Sequence, residues 1–295
     1  MKIGVVGSIN VDMVYSLPKF LKLGETLMGS NFQLLMGGKG ANQAVMTSAL
    51  VDDVVFLGAV GKDSFGTNAI ANLTSKGVGV ENISLKDNST GLAIIQLVNG
   101  ENSIAVIPGA NLDIQKSEID HFLDQHPDLG LVISQLEINM DAIIHLVDQC
   151  KARHISIILN PAPAQKLSSD LIDKVDYLIP NENETEFLFN SQDYEKLVTD
   201  FAGKLIITLG SKGVMYYDQQ KAVISPSQKI EVVDTTGAGD SFVAGFAAGI
   251  SKKLGIKAAV ELGIEIASLT CISMGAQGAY ERVKKEHYEK ARNSK

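Results

Sequence analysis

Residues 3–9 form an apolar run interrupted only by small side chains, the pattern of a strand buried on both faces near the middle of a sheet. Similar strand-length runs recur at 54–60, 129–136, 155–159, 175–179 and 204–209, with polar residues or glycines at their ends. Helix-like sequence fills 64–75, with Gly77 as its stop, and 140–150. Strands that alternate with helices predict a mainly parallel sheet covered by helices on both faces. Two stretches depart from this rhythm. Residues 13–36 hold short β-like pieces at 13–15 and 32–35 around a loop with Pro18 and Gly24. Residues 92–98 and 103–107 flank Asn99-Gly100, a dipeptide suited to a tight hairpin. Neither excursion buries enough surface to stand alone, so the two are expected to pair as a small β lid, built from about 11–36 and 91–110. Further β segments are expected at 214–217, 222–224 and 229–233, helices at 238–253 and 256–274, and a charged terminal helix at 284–291. No repeat, low-complexity tract or linker divides the chain, which reads as a single domain over 1–295.

Composition narrows the function. The 295 residues are 45% hydrophobic and 20% charged, with a net charge of −8. That balance disfavours non-specific nucleic-acid binding, which depends on many Lys and Arg contacts to phosphate. An anionic substrate must therefore be held by a local positive site. The two cysteines, Cys150 and Cys271, lie far apart in apolar segments and are expected as buried free thiols in a reducing compartment. The five histidines form no pattern with metal-ligand spacing. A strand that starts at residue 2 leaves no room for a leader, and no apolar run reaches about 18 residues, so a cytoplasmic protein is expected.

Two glycine-rich turns carry the candidate chemistry. Asp234-Thr235-Thr236-Gly237-Ala238-Gly239-Asp240 separates the β-like 229–233 from a helix. Glycines at a helix N-terminus let backbone N–H groups approach phosphate, and Asp240 places a carboxylate where those donors converge. A plain glycine turn with a capping aspartate is the alternative reading of the same residues. The second turn, Gly37-Gly38-Lys39-Gly40-Ala41-Asn42-Gln43, also runs into a helix; it is no Walker A loop, because no Ser or Thr follows the lysine. Asn10 and Asp12, just beyond the first strand, share one side of an extended segment and suit hydroxyl groups; a turn or cap is equally compatible.

Together with Asn160-Pro161-Ala162-Pro163-Ala164, Asn181 with Glu184, and Gly210-Ser211-Lys212-Gly213, these two turns make the whole chain resemble the ribokinase (pfkB-type) family of sugar kinases. The resemblance implies a three-layer α/β/α sandwich with a small β-sheet lid. It implies ATP-dependent phosphorylation of a sugar, D-ribose at its 5-hydroxyl foremost. Asn10, Asp12, Gly38, Lys39, Asn42 and Glu137 match the sugar-contacting positions, and Asp240 matches the catalytic base. Gly237, Ala238 and Gly239 match the anion hole. Asn181 and Glu184 match the motif that positions Mg²⁺ and phosphates. Thr208, Gly210, Ser211, Lys212 and Gly213 match the nucleotide loop, with Gly239 and Ile264 beside the nucleotide. Asp234 and Thr236, with backbone near Thr270, Ser273, Gly275 and Ala279, match a site for an activating monovalent cation, K⁺ above all. Three positions depart from the family pattern: Ile264 where Asn or His is frequent, Ala279 for a frequent serine, and Ser241 for threonine. Kinases of deoxyribose, another pentose or a nucleoside share these motifs, and a non-catalytic sugar-binding protein shares the fold. Apolar residues on the excursions (Val14, Leu34, Ile94, Ile104), together with the resemblance, predict a homodimer through the lid.

Overall fold

The apolar run at 3–9 is not one strand. In the computed structural model, which describes residues 1–99, 101–283 and 287, β1 (Lys2–Val6) ends three residues early and the chain re-enters a different sheet as β2 (Asn10–Ser16). The crossing is held by Asn111, which is buried. Its Oδ1 accepts from the Ile9 amide at 2.9 Å, and its Nδ2 donates to the Ile9 carbonyl at 3.1 Å and to Asn10 Oδ1 at 2.8 Å. Ser8, at the break, receives the N-terminus of the first helix: its carbonyl accepts from Ala41 N and its hydroxyl from Gly40 N.

From β2 the chain continues through β3 (Ser30–Gly37), α1 (Lys39–Leu50), β4 (Val54–Gly61), α2 (Ser64–Ser75) and β5 (Gly79–Lys86). Next come β6 (Gly91–Val98), β7 (Glu101–Ile107), α3 (Lys116–Gln125), β8 (Leu129–Gln135), α4 (Met140–Ala152) and β9 (Ser156–Asn160). There follow α5 (Ser169–Lys174), β10 (Tyr177–Leu178), α6 (Glu182–Phe189), α7 (Tyr194–Asp200) and β11 (Ile207–Thr208). The last described elements are β12 (Val214–Asp218), β13 (Lys221–Ser225), α8 (Ala238–Ser251) and α9 (Ile256–Cys271).

The main sheet has six parallel strands in the order β10-β9-β8-β1-β4-β5. Single bridges at Leu178–Leu205 and Asn181–Thr208 lead from its β10 edge to an antiparallel trio, β11-β12-β13. Side chains alternate between two cores, as period-two geometry requires. Leu131, Ile133 and Ile158 join the core under α1, α8 and α9, while Val132, Ile157 and Leu159 join the one under α3 and α4. Three layers, α/β/α, result.

The two excursions do pair. The small sheet runs β3-β2-β6-β7: two antiparallel hairpins joined by a parallel β2–β6 contact that extends from Asn10–Gly91 to Ser16–Leu97. Asn99 turns the second hairpin in the left-handed conformation, φ 51°; Gly100 lies outside the described residues. β7 is exposed along its length.

Three expectations change. The segment 229–233 forms no strand, although its apolar and charged residues alternate. Ile230 and Val232 line a cleft instead, and Val233 N bonds the Cys271 carbonyl. The helix expected over 256–274 stops at Cys271, and that over 238–253 at Ser251. β5 and α3 are additional elements; a register shift in the β4–β5 pairing interrupts the alternation of β5. The terminal helix expected at 284–291 lies, residue 287 apart, outside the described residues. Among the described residues, no helix is long and apolar enough to cross a membrane. Both cysteines are free; Cys150 is buried, with burial pushing its thiol up to about 12, but Cys271 is only partly buried.

Candidate active site

Helices α1 and α8 begin at the two glycine turns, and their first turns meet. Gly38 (φ 88°) precedes α1 and Gly237 (φ 76°) precedes α8, both in conformations that L side chains rarely adopt. Asp240 sits in the first turn of α8 with only 7% of its surface exposed. Asn42 Nδ2 donates to its Oδ2 at 3.0 Å and Gln43 Nε2 to its Oδ1 at 3.0 Å, so each carboxylate oxygen has an amide donor from α1. A buried charge is tolerable only with such partners. Gln43 also donates to Asn160 Oδ1 at 3.2 Å, and its own Oε1 accepts from Gln135 at 2.7 Å. Asn160, at the end of β9, is held in turn by the Ile179 carbonyl.

On the small-sheet side of Asp240 lie Asn10, Asp12, Lys39 and Glu137. Glu137 Oε2 accepts from Ser8 Oγ and, at 3.0 Å, from the Lys39 amide, which ties the end of the β8 segment to the start of α1. Burial pushes the Asp12 carboxyl up to about 6, and the charges of Glu137 and Asp240 add to the rise. Burial works against the Lys39 ammonium, yet Asp240, Glu137 and Glu184 together hold it above its ordinary value. Lys39 is thus the positive centre of a ring of carboxylates.

On the other side of Asp240 opens a cleft of about 740 Å³. Asn181, Thr208, Gly210, Ser211, Gly213, Gly239 and Ile264 line it, together with Ala238. Its apolar wall comes from Ile230, Val232, Phe242, Ala267 and Cys271, a surface suited to a flat ring. Two residues named with this group stand apart. Lys212 is exposed and pairs with Glu182 at 3.0 Å. Glu184 forms a capping box with Asn181: Glu184 Oε2 accepts from Asn181 N, and Asn181 Oδ1 from Glu184 N, both at 2.8 Å. Burial raises the Glu184 carboxyl, against the Asn181 amide and Lys39, with Asp240 adding to the rise.

A model of the pfkB family carbohydrate kinases matches residues 1–282. The chain belongs to the pfkB family of carbohydrate kinases. Among curated relatives of this pfkB kinase, a ribokinase of Lactococcus lactis is 38% identical over 96% of this chain and 94% of its own. A deoxyribokinase of Salmonella typhi is 33% identical over 96% of each. Among solved structures, an Arabidopsis thaliana ribokinase complexed with ribose and ATP superposes with a TM-score of 0.87 at 28% identity, covering 98% of both chains.

The remaining motif of the pfkB kinase is the turn around Asp234. Asp234 Oδ1 accepts from Thr236 N (2.9 Å) and Oγ1 (2.7 Å), and Oδ2 from Gly275 N (2.9 Å). These bonds outweigh burial and hold its carboxyl below the ordinary value. Thr270 and Ser273 turn their hydroxyls elsewhere, to Ser241 and to the Leu269 carbonyl. Ala279 is fully buried, and its carbonyl accepts from both Arg282 N and Val283 N. Ser8, Gln43, Asn111 and Gln277 are not among the expected site residues, yet each bonds to one of them, and Gln135 bonds to Gln43. Only Gln43 carried a local signal: it adjoins Asn42 in the first turn of α1.

Proposed function

We propose that this kinase transfers the γ-phosphoryl group of ATP to the 5-hydroxyl of D-ribose, with Asp240 as the base. The observation that carries the reading is Asp240 itself, gripped by Asn42 and Gln43, close to the carboxylates of Asp12 and Glu137, and directly after Gly239, which lines a cleft of nucleotide size. The resemblance to proteins named ribokinase, one of them complexed with ribose and ATP, supports the choice of sugar.

In this mechanism Asn10, Asp12, Lys39, Asn42 and Glu137 hold the sugar hydroxyls. Asp240 orients the 5-hydroxyl and takes its proton as the new O–P bond forms and the bond to the ADP oxygen breaks. Phosphoryl transfer leaves little covalent work to the protein, so positioning and charge stabilisation dominate. The backbone amides of Gly237 and Gly239 would face the charge that develops on the phosphoryl oxygens, whereas that of Ala238, expected with them, donates to the Thr235 carbonyl at 3.2 Å; losing one such donor costs about 3–4 kcal/mol in comparable sites. Mg²⁺ bound with ATP neutralises charge on the phosphate oxygens. Glu184 and Asn181 would hold it with the oxygen capacity their capping box leaves free, since carboxylate and amide oxygens suit a hard cation. Asp234 and Thr236, with the backbone near Thr270, Ser273 and Gly275, are the residues that would hold a K⁺ ion, with Asp234 already accepting from Thr236 and the Gly275 amide; Ala279 has no free carbonyl lone pair to add. The small sheet acts as the lid over the sugar. Its exposed Phe32, Leu34, Ile104 and Val106 are the surface through which a homodimer forms.

Turnover of a panel of sugars with ATP and Mg²⁺, with and without K⁺, tests the reading. D-ribose should give the highest kcat/KM. The named deoxyribokinase relative makes 2-deoxyribose the necessary comparison. A site that bonds a hydroxyl rejects an analogue lacking it by large factors, so comparable kcat/KM for the two sugars would overturn ribose as the substrate.

A further inference from the structure

The hydrogen bonds that end on Asp240 start far outside α1 and α8. Asn72 Nδ2 donates to Gln277 Oε1 at 2.9 Å, Gln277 Nε2 donates to Asn42 Oδ1 at 3.1 Å, and Asn42 Nδ2 donates to Asp240 at 3.0 Å. We propose that Gln277 is a positioning residue for phosphoryl transfer, fixing which end of the Asn42 amide faces the base.

An amide side chain has two ends of nearly equal shape and opposite hydrogen-bonding character. A carboxylate only accepts, so the Asn42 nitrogen must face Asp240, which sends Oδ1 the other way. That oxygen needs a donor, and Gln277 Nε2 supplies it. Gln277 is itself two-ended, and Asn72 fixes it by donating to Oε1. All three bonds therefore run in one direction, and reversing any amide places oxygen against oxygen. Gln43, the second donor to Asp240, has the matching arrangement with Gln135, but both of those residues are fully buried in the core. Gln277 is different. It belongs to the loop after α9, is only partly buried, and is the described contact that orients Asn42 from outside α1 and α8. The same loop is pinned at Gly275, whose amide bonds Asp234. One loop thus reaches both acidic ends of the 234–240 turn: Asp234 directly, and Asp240 through Asn42.

The proposal rests on Asp240 as the base. The test is steady-state kinetics of the full-length enzyme with D-ribose and MgATP for Gln277→Leu and Gln277→Glu, each alone and combined with Asn42→Ala. Gln277→Leu should lower kcat about tenfold, with KM for ATP within about twofold. Gln277→Glu keeps the length but turns an acceptor toward Asn42 Oδ1, so it should cost more than Leu. In the Asn42→Ala background both substitutions should change kcat by less than about twofold, because the residue they act through is gone. An equal loss in both backgrounds reveals a merely structural role and overturns the proposal, as does wild-type turnover in Gln277→Leu. If neither Gln277 variant folds, Asn72→Leu, which leaves Gln277 free to reverse, reads the same coupling in the two backgrounds by the same criteria. Asp240→Asn separates the two readings: near-normal turnover there overturns the base and this proposal together. Lost turnover there beside an unaffected Gln277→Leu overturns this proposal alone.

Discussion

Asn42 donates its side-chain amide to Asp240 Oδ2 at 3.0 Å across 198 positions of sequence, and so joins the first turns of α1 and α8. The bond holds the proposed base beside Gly239, which lines the cleft. Asp240→Asn keeps the size and loses the proton acceptor, and should lower kcat by about 10²–10⁴ while KM for the sugar stays close to that of the native enzyme. Steady-state kinetics with ribose checks it; a kcat within about tenfold of native removes Asp240 as the base.

Gln43 holds the other oxygen of Asp240 and also reaches Asn160 and Gln135. Gln43→Leu leaves a buried carboxylate oxygen and an asparagine oxygen without this donor. It should cost about 1–3 kcal/mol of stability and lower kcat as well. Urea unfolding beside kinetics measures both, and a variant as stable as native contradicts the structural role.

Gly237 starts α8 at φ 76°, and a methyl group there would lie 2.6 Å from Ala276 Cα. Gly237→Ala should therefore cost at least about 1–2 kcal/mol from conformation alone. If the turn's amides face the transferred phosphoryl group as proposed, kcat should fall while sugar binding persists. Ribose affinity by calorimetry, set beside kcat, distinguishes this from general unfolding.

Burial, then Glu137 and Asp240, raise Asp12 from its ordinary 3.8 to about 6. The folded chain thus holds this proton more tightly than the unfolded chain. The resulting stability is complete below about pH 3.8 and is lost as pH rises through about 6. Asp12→Asn cannot ionise, so the melting temperature of the variant relative to native should climb between about pH 4 and 7 and then level off. Scanning calorimetry across that range checks the sign; a difference independent of pH contradicts it. The same variant should bind ribose more weakly at neutral pH.

Phe32 is 63% exposed and Ile104 53% exposed, on strands β3 and β7 at the two edges of the small sheet. Such side chains in water favour association. Sedimentation should show a dimer at micromolar protein, and Ile104→Asp should shift it toward monomer without unfolding the main sheet. A native monomer under those conditions refutes the interface.

Much of this protein is legible in one dimension. The βα alternation, the two sheet excursions and the glycine turns all rest on short-range rules: period-two and helical spacing, and glycine where φ is positive or a backbone must come close. Local rules also mislead. Residues 229–233 alternate as a strand does, but no neighbouring edge accepts them, and their apolar side chains line a cleft instead. The run at 3–9 looks continuous, yet Asn111 grips its end and diverts it into another sheet.

The residues that the sequence did not reveal are mostly uncharged amides: Gln135 and Gln277, with Asn72 behind the latter. An amide has no pattern of its own; its role depends on which end faces a neighbour, and those neighbours lie up to 235 positions away in the chain. The sequence alone determined the layers, the two glycine turns and the aspartate proposed here as the base, because backbone periodicity and residue chemistry are local. Only the tertiary structure decided how that acid is held, because packing α1 against α8 and the loop after α9 brings its hydrogen-bond donors together.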